Sequence, residues 1–253
     1  MTAESATLRM MRSPLPGLVA LALLWGLAAP AMKVNPRYLP PLGLVLADAR
    51  SVWPDLLAGL WRTGEETLLG FLFAGVIGVG CGVGFAYARF LERGVFPLFV
   101  VLQNVPVIAF GAIVVIWFGN GLAAKAVIAF YLALFPIAVN TLRGLQEADP
   151  ERAALLRSFG ASPTQIFFKL KLPSALPSLM VGLKVGVSLA LAGAIVGEWF
   201  GDTVGLGVML LQALYVEEIA RVWALILVCG GLGAALYGAL ALAERRLVWW
   251  RRA

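Results

Sequence analysis

Of the 253 residues, 61% are apolar and only 13% charged, and the mean hydropathy is +0.90. A soluble domain of this size carries roughly 45–50% apolar and about 25% charged residues, so lipid must be the solvent for most of this chain. The net charge of +6 does not point to nucleic acid, because the basic residues sit at the ends of apolar runs; the absence of histidine excludes imidazole catalysis and removes the commonest transition-metal ligand.

A spanning helix needs about 20 mostly apolar residues. Six stretches qualify in chain order: 14–32, 64–88, 95–118, 121–143, 174–199 and 222–243. The expectation is an all-α polytopic membrane protein with six transmembrane helices in one domain, 1–253. The first run has a competing reading as a secretory leader, since Arg9 and Arg12 precede it and it ends in the small-residue stretch "LAAPAM". Its length favours a retained first span. Between the first two runs, "ARSVWPDLLAGLWR" reads as a short interfacial helix with tryptophans at headgroup level.

The second run carries Ala74, Gly78 and Gly82 at four-residue spacing, and the sixth repeats it with Gly230, Ala234 and Gly238. Such spacing marks close helix packing without saying which helices meet. In the third run, Gln103 and Asn104 stand beside Pro106. The proline frees a backbone carbonyl, so the amides either repair the helix or face a solute pathway. Asn140 in the fourth run and Lys184 in the fifth raise the same choice. A charge at the depth of Lys184 costs at least about 2.5–3.5 kcal/mol on insertion scales, so it should face protein or water. Glu198, near the end of the fifth run, is the deepest plausible carboxylate. Cys81 and Cys229 lie within apolar runs, which leaves no disulfide framework. No residue set suggests a metal site.

Between the fourth and fifth runs lies a soluble-looking elbow, about 150–173. Asp149-Pro150 is a helix start, and Leu155, Leu156 and Phe159 form one apolar face beside Glu151, Arg152 and Arg157. Gly160 ends that helix, and Ser162-Pro163 begins the next. With both termini inside, Arg9, Arg89, Arg143, Lys169, Lys171, Arg245 and Arg252 fall on the inner side, together with most other basic residues. The elbow and both termini are therefore expected to be cytoplasmic.

The elbow's Gly160, nine residues, then Leu170-Lys171-Leu172-Pro173 resembles the cytoplasmic loop signature of ATP-binding-cassette importer permeases. There the pattern is Glu-Ala-Ala, three residues, Gly, nine residues, Ile, one residue, Leu-Pro. The stretches "WFGNGLAAKAVIAFYLALFPIAVNTLRG" and "GEWFGDTVGLGVMLLQA" are similar to the branch importing nitrate, sulfonates, taurine, pyrimidine vitamin precursors and riboflavin. The resemblance covers roughly 55–245. It implies a type I importer-like fold in a bacterial inner membrane, with the elbow as a coupling helix that seats in a separate ATPase. It also implies a permease homodimer, a periplasmic or lipid-anchored solute-binding protein, and no cofactor on this chain, ATP being bound by the partner. The signature's glutamate falls on Ala154, and the nearest acid, Glu151, lies one helical turn earlier. The chain has no G-x-x-x-x-G-K-[ST] phosphate loop, so work must come from a partner or from an ion gradient. An ion-coupled secondary transporter is the alternative, and it would need intramembrane carboxylates and an internal repeat.

Overall fold

The computed structural model describes residues 35–252, together with positions 17, 20 and 23–27 of the first apolar run, which are helical. The remainder of that run, and the choice between span and leader, lie outside the described residues. Described residues are all helix, turn and loop; the nine helices between residues 42 and 247 are labelled here in order, and a short 3-10 turn, Trp249–Arg252, follows them. They are α1 Leu42–Ser51, α2 Trp53–Tyr87, α3 Leu91–Leu102, α4 Val107–Phe118 and α5 Leu122–Gln146. The elbow supplies α6 Pro150–Ser158 and leads into α7 Pro163–Glu198, followed by α8 Leu206–Tyr215 and α9 Ile219–Leu247.

Four of them, α2, α5, α7 and α9, are long and apolar enough to cross a membrane. The 35 residues of α2 measure about 52 Å at 1.5 Å per residue, well beyond the roughly 30 Å hydrocarbon layer. The helix begins a dozen residues before the apolar run does, because Pro54 sits in its first turn and nothing between Asp55 and Thr63 breaks it. The expected short interfacial helix is thus not a separate element. Residues 49–51 close α1, and Trp53 opens α2.

The run 95–118 is not one straight helix either. It breaks at 103–106, and α3 and α4 meet at 95°. Pro106 has no N–H to donate and disfavours helical backbone at Val105, so the chain turns there. Each half is too short to cross alone: the 12 residues of α4 span about 18 Å. Tyr131 of α5 holds the break, its hydroxyl donating to the carbonyls of Leu102 at 2.6 Å and Val105 at 3.2 Å. Its ring stacks on Phe110 at 4.0 Å.

The chain forms two compact units. One comprises the chain up to Leu56 with Leu210–Leu227. Within it, Arg221 holds Asp48 through two bonds of 3.1 Å and Glu218 at 2.8 Å, and Arg37 pairs with Glu217. Trp223 packs on Trp25 with ring centroids 4.8 Å apart and planes tilted by 56°, and donates to the Tyr38 carbonyl.

The other unit, Leu57–Met209 with Val228 onward, is built around α5. Small residues on α2 and α7 let both backbones approach it. A Cβ on Gly70 would lie 2.5 Å from that of Ala129, and one on Gly82 would lie 2.5 Å from Thr141. On α7, Gly182 meets Pro136 and Asn140, and Gly193 meets Ile128 and Ala129. Ala74, Ala133, Ile137, Val187, Ala190 and Ala194 fill the seams. Lipid offers no hydrophobic drive between helices, so this tight van der Waals contact is what joins them. The Ala74–Gly78–Gly82 stripe therefore packs on α5. Among the described residues nothing packs on the matching stripe of α9, since Gly230 and Gly238 have open space where a side chain would go.

Candidate functional site

The elbow is rigidly capped at every turn. Asp149 accepts hydrogen bonds from the backbone N–H of Glu151 at 2.8 Å and of Arg152 at 3.3 Å, with Pro150 in the first turn. At the other end of α6, Gly160 takes φ +80. Its N–H reaches the Arg157 carbonyl at 2.9 Å, and Ala161 N–H reaches Leu156 at 3.0 Å. This is the Schellman stop that glycine permits. Ser162 then caps α7 in a capping box with Gln165. Pro173 lacks an N–H, and the preceding stretch Phe167–Lys171 widens into a π turn closed by the Leu172 N–H on the Phe167 carbonyl.

Ala153 is the side of α6 turned into the protein. Leu155 is 57% and Phe159 80% exposed, one turn apart, while Leu156 is half-buried. Glu151 and Ala154 are exposed on the same short helix. The elbow thus presents two apolar knobs beside a carboxylate on a helix that has no freedom to fold them away. Leu170, Leu172 and Pro173 are half-buried where the elbow enters α7. Lys171 lies 4.5 Å above the ring of Tyr87 at the end of α2, and Phe167 meets the same ring edge-on.

The six candidates of the apolar runs, five polar side chains and Pro106, are not gathered into one site, and among the described residues no hydrogen bond or ion pair joins one to another. Gln103, Asn104 and Pro106 are exposed at the break between α3 and α4, where Asn104 donates to the carbonyls of Val100 and Val101. Asn140 donates at 2.8 Å to the carbonyl of Pro136, one turn earlier. Lys184 pairs with Glu244 of α9 at 2.7 Å, and the Tyr237 ring lies 5.7 Å away.

Glu198 belongs to a cluster that the sequence did not announce. Its carboxylate accepts from the Thr63 hydroxyl and from Gly207 N–H, both at 2.5 Å. Thr63 in turn accepts from Leu206 N–H at 2.9 Å. Together they satisfy the first free N–H groups of α8, and the anion sits at the positive end of that helix. Around it, Arg62 of α2 reaches Glu66 at 2.9 Å and Asp202 at 3.8 Å. Lys125 of α5, fully buried, reaches Asp202 at 3.4 Å and hydrogen-bonds Asn120. Arg62 and Glu66 at i, i+4 were the one local signal of this network. The partners on α5 and α7 come from 60 to 140 positions away along the sequence and leave no local pattern. Among the described residues no group of His, Cys, Asp and Glu is arranged to hold a metal ion.

The chain is similar to known transport proteins. The profile of a family described as binding-protein-dependent transport system inner membrane component matches residues 74–249. The formylaminopyrimidine transport permease protein ThiX of Halalkalibacterium halodurans is 34% identical, over 92% of this chain and 93% of that protein. The riboflavin transport system permease protein RibX of Chloroflexus aurantiacus is 30% identical, over 93% and 89%. Among solved structures, a chain of the MetNI methionine ABC transporter, in an inward-facing conformation, superposes with a TM-score of 0.65. It is 25% identical and covers 78% of this chain and 96% of that one.

Proposed function

For a chain that belongs to the binding-protein-dependent transport system inner membrane components, we propose that the elbow between α5 and α7 is the seat of a separate ATP-binding subunit. The chain is a multi-pass membrane protein, the permease subunit of an importer for small solutes. The observation that carries the proposal is the exposed pair Leu155 and Phe159, held at the end of a helix that is capped at both ends and joined by a tight capped turn to a membrane-crossing helix. Exposed apolar side chains on a rigid helix face fit an interface anchor, with the carboxylate of Glu151 at its edge.

ATP is bound and hydrolysed by that partner, and this chain performs no covalent chemistry. A second copy of the permease completes the pathway, and a binding protein delivers solute from the far side. Charge supports the orientation: α7 and α9 are successive crossings, so the elbow and the Arg245-Arg246 end of α9 share a side, and both are basic. That side is cytoplasmic, and the break between α3 and α4 lies within one crossing. Gln103, Asn104, Asn140 and Lys184 are the groups nearest to a pathway. The solute class follows the relatives: a small heterocyclic vitamin precursor such as a formylaminopyrimidine or riboflavin, or a small sulfonate.

Two measurements test this together. Leu155→Ala with Phe159→Ala should lose co-purification of the ATP-binding subunit while the permease level in the membrane holds. Uptake of labelled formylaminopyrimidine, riboflavin and taurine by cells expressing the complete transporter identifies the solute class. Intact co-purification with intact uptake in the double variant would leave α6 a lipid-surface helix and remove the docking assignment.

A further inference from the structure

The end of α2 and the start of α7 enclose an open-sided groove that the docking of an ATP-binding subunit does not explain. It measures about 280 Å³ and is lined by Val83, Tyr87, Pro163, Thr164 and Phe167. Its two ends lie in different surroundings. Val83 stands inside the apolar run of α2, whereas Pro163 and Thr164 open α7 ahead of the apolar run that begins at 174. The groove therefore leads from the hydrocarbon layer out to the headgroup region, and a soluble subunit cannot follow it to its deep end. Charge then singles out one kind of lipid. The stretches 83–89 and 163–173 contain Arg89, Lys169 and Lys171 and not one acidic residue. Among the described residues none of the three makes an ion pair. Lys171 stands at the groove itself. Its ammonium lies 4.5 Å over the ring of Tyr87, and Phe167 meets the same ring edge-on at 6.1 Å. Lys171 is half-buried and Tyr87 exposed, so the cation reaches along the ring to the lip of the groove. Contact with the ring orders the ammonium without neutralising it.

We propose that this groove holds one anionic phospholipid, with an acyl chain along Val83 and Phe167 and the phosphate on the ammonium of Lys171. Basic pockets between membrane helices recognise acidic headgroups in this way, and a zwitterionic lipid gains less from the same cation. Exposed Tyr87 and Phe168 supply the aromatic surface that suits headgroup level. The bound lipid bridges α2 and α7 where the elbow enters α7, so the composition of the bilayer bears directly on the segment that carries the elbow.

The test is native mass spectrometry of the permease purified with its ATP-binding subunits, titrated with dioleoylphosphatidylglycerol and, separately, with dioleoylphosphatidylcholine. Each permease chain should hold a tight phosphatidylglycerol at concentrations at least about fivefold below those that phosphatidylcholine needs, the ratio that a single cation near the surface supplies. Lys171→Gln should bring the two lipids level, and Lys171→Arg should keep the preference. Val83→Trp fills the groove and should lose the tight lipid. Arg245→Gln, at the basic end of α9, should keep it. Equal binding of the two lipids by the native complex overturns the proposal, as does a preference that survives Lys171→Gln. An equal loss in Arg245→Gln would mean general surface charge and overturn it too. Should Val83→Trp shed the ATP-binding subunits yet keep its phosphatidylglycerol, the groove is a protein contact and the lipid assignment is wrong. If that variant does not assemble, the two Lys171 variants still decide, since neither alters the apolar wall of the groove.

Discussion

The elbow and the Glu198 cluster are both polar interruptions of an apolar protein, and they dispose of polarity in opposite ways. The elbow satisfies its backbone with its own nearest neighbours, Asp149, Gly160, Ser162 and Gln165, and leaves its apolar side chains bare. The cluster draws on α2, α5, α7 and the following turn, and seals Glu66, Lys125 and Glu198 from solvent. A surface designed for a partner is locally complete and globally incomplete. A joint between helices is the reverse. The two should therefore fail differently when altered: changes at the elbow should cost activity without stability, and changes in the cluster should cost stability first.

The largest effect is expected from Lys125→Met. It removes a fully buried cation and, among the described residues, leaves Arg62 at 3.8 Å as the one cation paired with Asp202. Breaking one side of a buried pair costs about 3–5 kcal/mol. Thermal unfolding in detergent should show a clear fall in Tm, and Lys125→Met with Asp202→Asn should recover most of it. If the single variant is as stable as the native protein, the cluster is not a joint.

Next is Phe159→Ala, which should weaken capture of the ATP-binding subunit by about 2 kcal/mol or more, roughly thirtyfold, with Tm unchanged. A fall in Tm equal to that of the Lys125 variant would erase the distinction between the two regions. Gly160→Val should cost about 1–2 kcal/mol locally, because φ +80 is strained for a β-branched residue. Space is not the obstacle, as nothing lies within 4 Å of the position where a Cβ would stand. Hydrogen exchange at Ala161 and Gly160 should quicken while the helix core stays protected. The smallest effect is expected from Lys184→Met. Its ion pair with Glu244 is only partly buried, so separating it should cost about 1 kcal/mol. Adding Glu244→Gln should restore Tm; a large loss of uptake that the second change does not rescue would instead put Lys184 on the solute path.

Legibility followed the same division. Asp149-Pro150, Gly160 and Ser162-Pro163 are start and stop signals acting within a turn of themselves, so the elbow could be read from sequence nearly residue by residue. The four-residue spacing of Ala74, Gly78 and Gly82 announced close packing, but only the structure supplied α5 as the partner. The break at Pro106 was visible as a freed carbonyl, while its size was not. A bend of 95° depends on Tyr131, 25 residues further on, holding the carbonyls that the proline releases. The cluster was least readable. Arg62 and Glu66 show nothing in the sequence beyond their i, i+4 spacing and Lys125 shows nothing at all, because burial is a property of the assembled bundle. In the sequence Glu198 shows only its depth. Its partners tie it to the capping of α8.

Helix α7 runs unbroken from the elbow at Ser162 to the carboxylate of Glu198. Its 36 residues make a rod of about 54 Å. A rod of that length is a lever arm: tilting it by about 5° around its cytoplasmic end would sweep the far end through roughly 5 Å. A hinge anywhere along it would waste that amplification as bending. The π turn and Pro177 both lie in the first half, so the stretch beyond them, from Ser178 to Glu198, is the part of the arm that travels as one piece.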